Sequence, residues 1–461
     1  MEKITLGEIA EVTRGYMISG EPDHFVTGVT TDSRAAGRND LFIPLIGENH
    51  DAHDFIPGAA ENGCRAFLVS EKRAADQIPD SDVIFVPDTL QAMQDLAYHC
   101  LQKLDIRKIA VTGSVGKTST RDMIYYILSE KFKTARPEKN YNNEVGVPIT
   151  IFSLDKSYDA VVFEEGLEHA GDIHRLSRMT RPDTAVITNI GVSHIENLGS
   201  RENIFRAKLE VADFLPQEGA LIINSDSDYL TKDNIDRDFR IVSCGTDPED
   251  DYYVHDINDR GTDGISFSLT AGGRTEEIDL PVPGAHNAVN AALAAAAAAE
   301  AGIGLDKVKS GLKKLELTGK RLLVREGRGR KVIDDSYNAA PVSMRSAIDT
   351  LMNTAGKRHV AVLAGMNELG SNWEQYHREV GEYAADKNVD VIIGVGDKAR
   401  MIIEGACGRT SSYAVWYPDK ESLFRELDDI VLEGDTVIVK GSNAYRMSEV
   451  ADRIVEGQEQ K

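Results

Sequence analysis

Val111-Thr112-Gly113-Ser114-Val115-Gly116-Lys117-Thr118-Ser119 decides the architecture of this chain. The apolar run Ile109 to Val111 reads as a buried strand, and Arg121 to Lys131 reads as a helix. A glycine-rich turn between them makes a phosphate cradle. Its glycines let backbone N–H groups close on phosphate oxygens, and the helix N-terminus adds favourable partial charge. Expected nucleotide contacts run through Gly113, Ser114, Gly116, Lys117, Thr118 and Ser119. Lys117 is placed to reach the β- and γ-phosphates, and the Thr118 hydroxyl to bind Mg²⁺. The general loop pattern has glycine where this chain has Val111, so the spacing here is the shorter G-x-x-G-K-T. A glycine-rich turn that binds nothing does not explain Gly-Lys-Thr between a strand and a helix.

At 461 residues the chain is too long for one ordinary core, and three domains are expected. The formal net charge of −23 argues against nucleic-acid and anionic-membrane partners. It leaves room for a phosphorylated substrate, because a local Lys/Arg pocket can reverse the field. Cys64, Cys100, Cys244 and Cys407 are scattered, with no C-x-x-C pair, so neither a zinc ribbon nor a disulfide framework is indicated. The start Met1-Glu2-Lys3-Ile4-Thr5-Leu6 lacks the apolar core of a signal peptide, and no apolar run is long enough to span a membrane. A cytoplasmic protein without membrane insertion is expected.

Residues 1–105 contain short strand-like runs such as Leu41 to Leu45, Ala66 to Val69 and Val83 to Val86, then a helical segment from Leu90 to Lys103. Residues 106–315 alternate strands and helices: Asp159 to Phe163, Thr184 to Thr188 and Gly219 to Ile223 are the strands after the loop. That rhythm predicts a mostly parallel sheet covered on both faces. Residues 240 to 282 alternate like antiparallel strands and read as a small sheet excursion, and the alanine-rich Asn290 to Ala301 reads as a tightly packed helix. Residues 316–461 form another open α/β unit, Rossmann-like but without a dinucleotide fingerprint, with strands at Val332 to Asp334, His359 to Leu363, Val389 to Ile393 and Thr436 to Val439.

In an open parallel sheet the carboxyl ends of the strands surround the ligand crevice. Glu164 and Glu165 follow one central strand, Asn189 and His194 follow another, and Lys208 lies on a helix begun near Arg201. A carboxylate, an imidazole and the loop threonine can together hold Mg²⁺ against triphosphate oxygens. Singly, each has a bland explanation: a lone Glu is usually solvated and a lone His usually a hydrogen-bonded structural residue.

An ordered series of further motifs changes that weighting. Thr31-Asp32-Ser33-Arg34 and Leu41-Phe42-Ile43-Pro44-Leu45-Ile46-Gly47 precede the phosphate loop. Lys139-Asn140-Tyr141-Asn142-Asn143-Glu144-Val145-Gly146-Val147-Pro148 follows it, then Thr188-Asn189-Ile190-Gly191 with His194, Ala207-Lys208-Leu209-Glu210 and Gly284-Ala285-His286-Asn287-Ala288-Val289-Asn290. Gly319-Lys320-Arg321-Leu322, Asp334-Asp335-Ser336-Tyr337-Asn338-Ala339-Ala340-Pro341, Glu368-Leu369-Gly370 and Lys440-Gly441-Ser442 complete it. With the G-x-x-G-K-T spacing, this series resembles the Mur ligase family over essentially the whole chain. The segment from Asp334 to Pro341 points to its D-alanyl-D-alanine-adding branch.

The resemblance implies a three-domain α/β architecture: a uridine-nucleotide domain, a central P-loop ATPase domain with a parallel sheet, and a C-terminal Rossmann-like domain for the incoming amine. It implies an ATP-dependent amide ligase that joins D-alanyl-D-alanine to UDP-N-acetylmuramoyl-tripeptide through an acyl phosphate, acting as a monomer in the bacterial cytoplasm. By position it assigns Lys117 to the β/γ-phosphates, Thr118 and Glu164 to one Mg²⁺, and His194 to a second. Lys208 matches the lysine that carries a carbamate in this family and so helps to hold metal. Asn287 and Asn290 fall near the adenine, and Arg321 and Asp335 reach the nucleotide from the third domain. Thr31, Asp32, Ser33, Arg34, Asn142, Asn143, Ser193, Tyr337, Asn338 and Ser442 are the implied substrate contacts.

The chain departs from the family pattern in places. The usual Glu-Met-Gly is Glu164-Glu165-Gly166, Ala340 stands where asparagine is usual before the proline, and Asn443 replaces a commonly basic residue. Met366-Asn367-Glu368 and Asp51-Ala52-His53 also differ from the customary segments. The first departure leaves two glutamates for the metal, of which the register favours Glu164; the others leave the ATP chemistry intact and bear on the substrates. A paralogue joining another amine to another carboxylate is the nearest alternative. A non-catalytic nucleotide switch would not need Lys208 and His194.

Overall fold

The computed structural model describes residues 1–47, 50–237, 239–319, 321–409 and 413–457. The first sheet has five strands in the order Tyr16–Ser19, Asp82–Phe85, Ala66–Val69, Asp40–Phe42, Gly28–Thr30. Helix α1 (Thr89–Gln102) leads out of it, started by Asp88, whose carboxylate accepts the N–H groups of Leu90 and Gln91. Its apolar face, with Met93, Leu96 and Leu101, shares one core with Leu6 and Ile9 of the first domain and Val147, Ile151 and Leu176 of the next. Each such side chain removed from water contributes roughly 1.5–3 kcal/mol. The first two domains are therefore joined by common packing as well as by the chain.

The central sheet has nine strands. Strand β1 (Arg107–Thr112) lies between β2 (Ala160–Glu164) and β3 (Thr184–Ile187), and β4 (Ala220–Asn224) continues on the β3 side, all parallel. The chain leaves β1 towards one side for β2 and crosses to the other for β3. That reversal opens a crevice at the carboxyl ends of these strands. Helix α2 (Lys117–Leu128) follows β1 directly, α3 (Asp172–Thr180) follows β2, and α4 (Arg201–Leu209) lies between β3 and β4.

Residues 240 to 282, read as a small sheet excursion, turn out to belong to the central sheet itself. Arg240–Gly245 pairs parallel with β4, and Tyr252–Asp259, Ile265–Ala271 and Arg274–Leu280 extend the same sheet, the last two antiparallel. The reason is one-sided burial. Val254, Phe267, Leu269, Ile278 and Leu280 join the core beneath the alanine helix α5 (His286–Glu300), so these strands need no core of their own. The alanines themselves let α5 pack closely on α2.

The third domain has six strands in the order Leu323–Gly327, Arg330–Asp335, Thr436–Lys440, His359–Ala364, Val391–Val395, Tyr413–Tyr417. The first pair is antiparallel and the rest parallel, with an apolar core on each face. The α/β class expected from the sequence is the observed one. Among the described residues, no helix is long and apolar enough to cross a membrane.

Candidate functional site

A cleft of about 950 Å³ lies at the carboxyl ends of β1, β2 and β3, walled on its far side by the third domain. The phosphate loop forms its floor. Gly113 and Gly116 have φ of 148° and 84°, and a Cβ on Gly113 would stand 1.8 Å from Thr188 Oγ1, so glycine is required there on two counts. The loop is bound to the end of β3. Asn189 O accepts the Ser114 N–H at 3.1 Å, Asn189 Oδ1 accepts the Val115 N–H at 3.1 Å, and Ser114 Oγ accepts the Gly191 N–H at 2.8 Å. Lys117 Nζ rests on Gly113 O at 2.8 Å. Burial pushes the Lys117 ammonium below its ordinary value; Glu164 opposes this and Arg321 adds to it.

Successive residues of a strand face opposite ways, and this separates the two glutamates. Glu164 faces the cleft. Its Oε2 accepts the Thr118 hydroxyl at 2.8 Å and Arg121 Nη1 at 3.3 Å, while Oε1 accepts Asn142 Nδ2 at 3.0 Å. Burial alone would raise this carboxyl, but Arg121, Lys117 and Arg321 outweigh it and hold it below the usual range. Glu165 points into the interior, fully buried; among the described residues only the Thr180 hydroxyl reaches it, on Oε1 at 2.8 Å, and nothing meets Oε2. Burial pushes its carboxyl from 4.5 up to about 8.

That asymmetry gives a stability prediction. Between these two values the unfolded chain releases the Glu165 proton and the folded chain keeps it, so stability falls as pH rises through the window and levels off above it. Glu165→Gln cannot ionise in either state. Its melting temperature relative to the parent, without added divalent ions, is expected to be distinctly higher at about pH 8 than at about pH 5. An equal difference at both pH values would contradict a buried, protonated Glu165.

His194 enters the cleft at the start of a short helix, with φ of 64°. Its Nδ1 lies 2.5 Å from Glu368 Oε2, a third-domain residue also held at positive φ, 61°. Glu368 sits on a braced loop: Ser442 Oγ accepts the Asn367 N–H at 3.1 Å, and the buried His377 accepts the Met366 N–H at 2.8 Å. Asn143, Ser193, Asn338 and Ser119 also line the cleft. Asn287 and Asn290 lie in the first turns of α5, joined by a 3.0 Å hydrogen bond, with Asn290 against Gly116. Arg321 lies over the Tyr337 ring at 4.0 Å, and Asp335 is paired with the buried Lys440.

Other residues singled out from the sequence lie elsewhere. Lys208 is 1% exposed and is not among the residues that line the cleft. Among the described residues its ammonium has no hydrogen-bond or ion-pair partner, and burial, followed by the charge of Lys117, drives it well below the ordinary lysine value. Thr31, Asp32, Ser33 and Arg34 follow the first-domain strand Gly28–Thr30 and are not brought into the cleft; Asp32 and Arg34 form an exposed pair at 2.8 Å. Ser442 braces the Glu368 loop instead of lining the cleft. Lys320 lies outside the described residues.

No group of three or more His, Cys, Asp or Glu side chains among the described residues forms a ready-made metal cluster. The Thr118 hydroxyl and the ionised Glu164 nevertheless fit Mg²⁺, a hard cation that takes one or two carboxylates and completes its shell with phosphate and water. Sequence reasoning missed Arg121 and Asp122, the buried charged pair after the loop, and gave Glu368 no role. The only signal for the pair was its place in the first turns of a helix that must be buried.

Three family models cover the chain in succession: the Mur ligase family catalytic domain over residues 25–100, the Mur ligase middle domain over 111–298, and the Mur ligase glutamate ligase domain over 320–443. The UDP-N-acetylmuramoyl-tripeptide–D-alanyl-D-alanine ligase of Bacillus subtilis is 36% identical, with 99% of each chain covered, and that of Escherichia coli is 33% identical with the same coverage. A crystal structure of MurF from Acinetobacter baumannii superposes with a TM-score of 0.90 at 30% identity, covering 98% of this chain and 99% of that one. The MurF ligase of Thermotoga maritima in complex with ADP gives a TM-score of 0.82 at 26% identity, covering 93% and 97%. A relative 36% identical over 99% of the chain, with three family models matched in succession, settles the kinship: the chain belongs to the Mur ligase family.

Proposed function

We infer that this chain is the ATP-dependent ligase that joins D-alanyl-D-alanine to UDP-N-acetylmuramoyl-tripeptide in peptidoglycan precursor synthesis. One observation carries the chemistry: a phosphate loop, an ionised Glu164 and the third-domain Arg321 and Asp335 converge on one cleft. The peptide carboxylate attacks the γ-phosphorus of ATP, ADP leaves, and an acyl phosphate forms. The dipeptide amine then adds to the acyl carbon, and the tetrahedral intermediate collapses to amide and phosphate.

Each residue has a part in this. Lys117 and the loop N–H groups bind the β- and γ-phosphates and offset charge as it develops. Arg321 closes on the nucleotide from the third domain and, with Asp335, shuts water away from the acyl phosphate. Asn287 and Asn290 hold the base, and Asn142, Asn143 and Ser193 hold the peptide. Thr31 to Arg34 lie on the first domain, which would hold the uridine nucleotide. Thr118 and Glu164 would hold Mg²⁺, with His194 holding a second ion. Bound there, the metal would neutralise phosphate charge.

Lys208 suits a carbamate. A neutral buried amine is nucleophilic towards CO₂, and the reaction yields an anionic carbamate and one proton. Protein incubated with ¹³C-bicarbonate is expected to show a carbamate carbon resonance that Lys208→Arg lacks. The same resonance in the variant would overturn this assignment. The acyl phosphate itself is tested by hydroxylamine. With ATP and tripeptide nucleotide but no dipeptide, a peptidyl hydroxamate is expected. ADP release without hydroxamate would mean hydrolysis rather than acyl activation.

A further inference from the structure

A buried ionic network begins where the phosphate loop enters α2. Arg121 and Asp122 are both 0% exposed. Arg121 donates from Nη1 to Glu164 Oε2 at 3.3 Å, and from Nε and Nη2 to Asp122 Oδ1 at 3.0 and 2.6 Å. Arg136 Nη1 lies 2.7 Å from the same oxygen. The other oxygen, Asp122 Oδ2, accepts the backbone N–H of Thr318 at 2.7 Å.

Thr318 lies in the linker between the central domain and the third, and its carbonyl accepts Arg321 Nη1 at 3.0 Å. Gly319 follows at φ 83°, a turn that brings Arg321 back over that carbonyl. A continuous path of polar contacts therefore runs Glu164–Arg121–Asp122–Thr318–Arg321. One end is the carboxylate facing Thr118, and the other is the third-domain guanidinium on the cleft wall. Two carboxylates, Glu164 and Asp122, balance two guanidiniums, Arg121 and Arg136. Burying Glu164, Arg121 and Asp122 beside a partly exposed Arg136 is a poor way to gain stability, since apolar replacements often serve as well. Fixed geometry is what such a network can supply that apolar packing does not.

We propose that Asp122 is a positioning residue of the ligation reaction: through the Thr318 N–H it sets the linker from which Arg321 reaches the nucleotide, and through Arg121 it ties that linker to Glu164. Asp122 lies outside the cleft lining, so it acts through these residues. The proposal rests on the ligase reading for its turnover assay but not for its binding assay.

The test is a double-mutant cycle on full-length protein with Asp122→Asn, Arg321→Ala and both together. Asp122→Asn is expected to lower kcat about tenfold when Arg321 is present, because small misplacements of a group at the reacting centre cost heavily. With Arg321→Ala already made, it is expected to lower kcat less than about twofold, because no guanidinium remains to be positioned. A purely structural role would give equal losses in both backgrounds and a lower melting temperature, and that result overturns the proposal. Thr318→Pro deletes the linker donor, with the added restraint of a fixed φ, and keeps the buried pair. Run through the same cycle, it decides the matter if Asp122→Asn does not fold. Affinity for a non-hydrolysable ATP analogue is read on the same proteins and needs no turnover. A loss of about threefold or more that depends on Arg321 supports the tether, and an equal loss with and without Arg321 overturns it. A parent protein that binds the analogue but forms no product refutes the ligase reading and leaves this outcome legible.

Discussion

Lys117→Ala is expected to reduce ligation by about 10³-fold or more, a loss of about 4 kcal/mol of transition-state stabilisation, while the protein remains folded. Lys117 is the cation at the end of the phosphate loop, and its Nζ lies on Gly113 O, with no carboxylate bound directly to it among the described residues. The surroundings already disfavour its charge, since burial pushes the ammonium down. That cost is borne in the folded state and relieved only when phosphate oxygens arrive. Removing the side chain therefore takes away charge compensation where phosphoryl transfer needs it and also takes away a source of native-state strain. The two readouts should move in opposite directions. kcat/KM collapses, and the melting temperature at neutral pH is unchanged or higher. Turnover within about tenfold of the parent would remove Lys117 from the chemistry.

Glu164→Ala is expected to be damaging in both respects. The carboxylate accepts from Thr118, Asn142 and Arg121, and the last of these is fully buried. Its loss leaves the fully buried Arg121 guanidinium sharing Asp122 with the partly exposed Arg136, an excess positive charge beside the cleft floor. Breaking a buried pair from one side typically costs about 3–5 kcal/mol, and urea unfolding should show a loss of that order. Activity should fall at least about 10²-fold, because Thr118 and Glu164 form the hard-oxygen pair at the loop that fits Mg²⁺. Glu164→Gln keeps the shape but not the charge, so the excess positive charge and the loss of activity both remain, and whatever stability it recovers over Glu164→Ala is the share due to packing. The neighbouring Glu165→Gln has the opposite stability sign, since that carboxyl is buried with no cation beside it among the described residues. If the two glutamine variants behaved alike, the alternation of β2 would not be what assigns their roles.

Much of the central domain is legible in the sequence because buried parallel strands appear as uninterrupted apolar runs. Ile109 to Val111, Thr184 to Thr188 and Gly219 to Ile223 each fall on an observed strand, and the polar residues after them fall at the crevice. Alternation from Tyr252 to Leu280 reports strands with one buried face, but it does not say which sheet they join. That depended on α5 covering them. Leu323–Gly327 went unread because an exposed edge strand carrying Arg325 and Glu326 has no apolar signature. Tyr413–Tyr417 closes the opposite edge and also escaped notice. Arg321 and Asp335 were placed near the nucleotide by motif resemblance alone, because no local pattern reports a contact between domains so distant in sequence. Arg121 and Asp122 were passed over for a simpler reason: adjacent opposite charges on a helix usually mean a solvated face, and here the helix is buried on that face by β2, Arg136 and the linker.

Mass analysis of the product is the most direct test. The protein is given ATP, Mg²⁺, D-alanyl-D-alanine and UDP-N-acetylmuramoyl-tripeptide carrying either lysine or diaminopimelate. The expected product is a UDP-N-acetylmuramoyl-pentapeptide, heavier than the tripeptide nucleotide by the dipeptide less one water, with one ADP and one phosphate per ligation. No pentapeptide with either acceptor, from protein that still binds ATP, would contradict the D-alanyl-D-alanine ligase function. It would instead indicate another amine and carboxylate, with Ala340 on the cleft wall and Asn443 beside Ser442 as the first positions to examine.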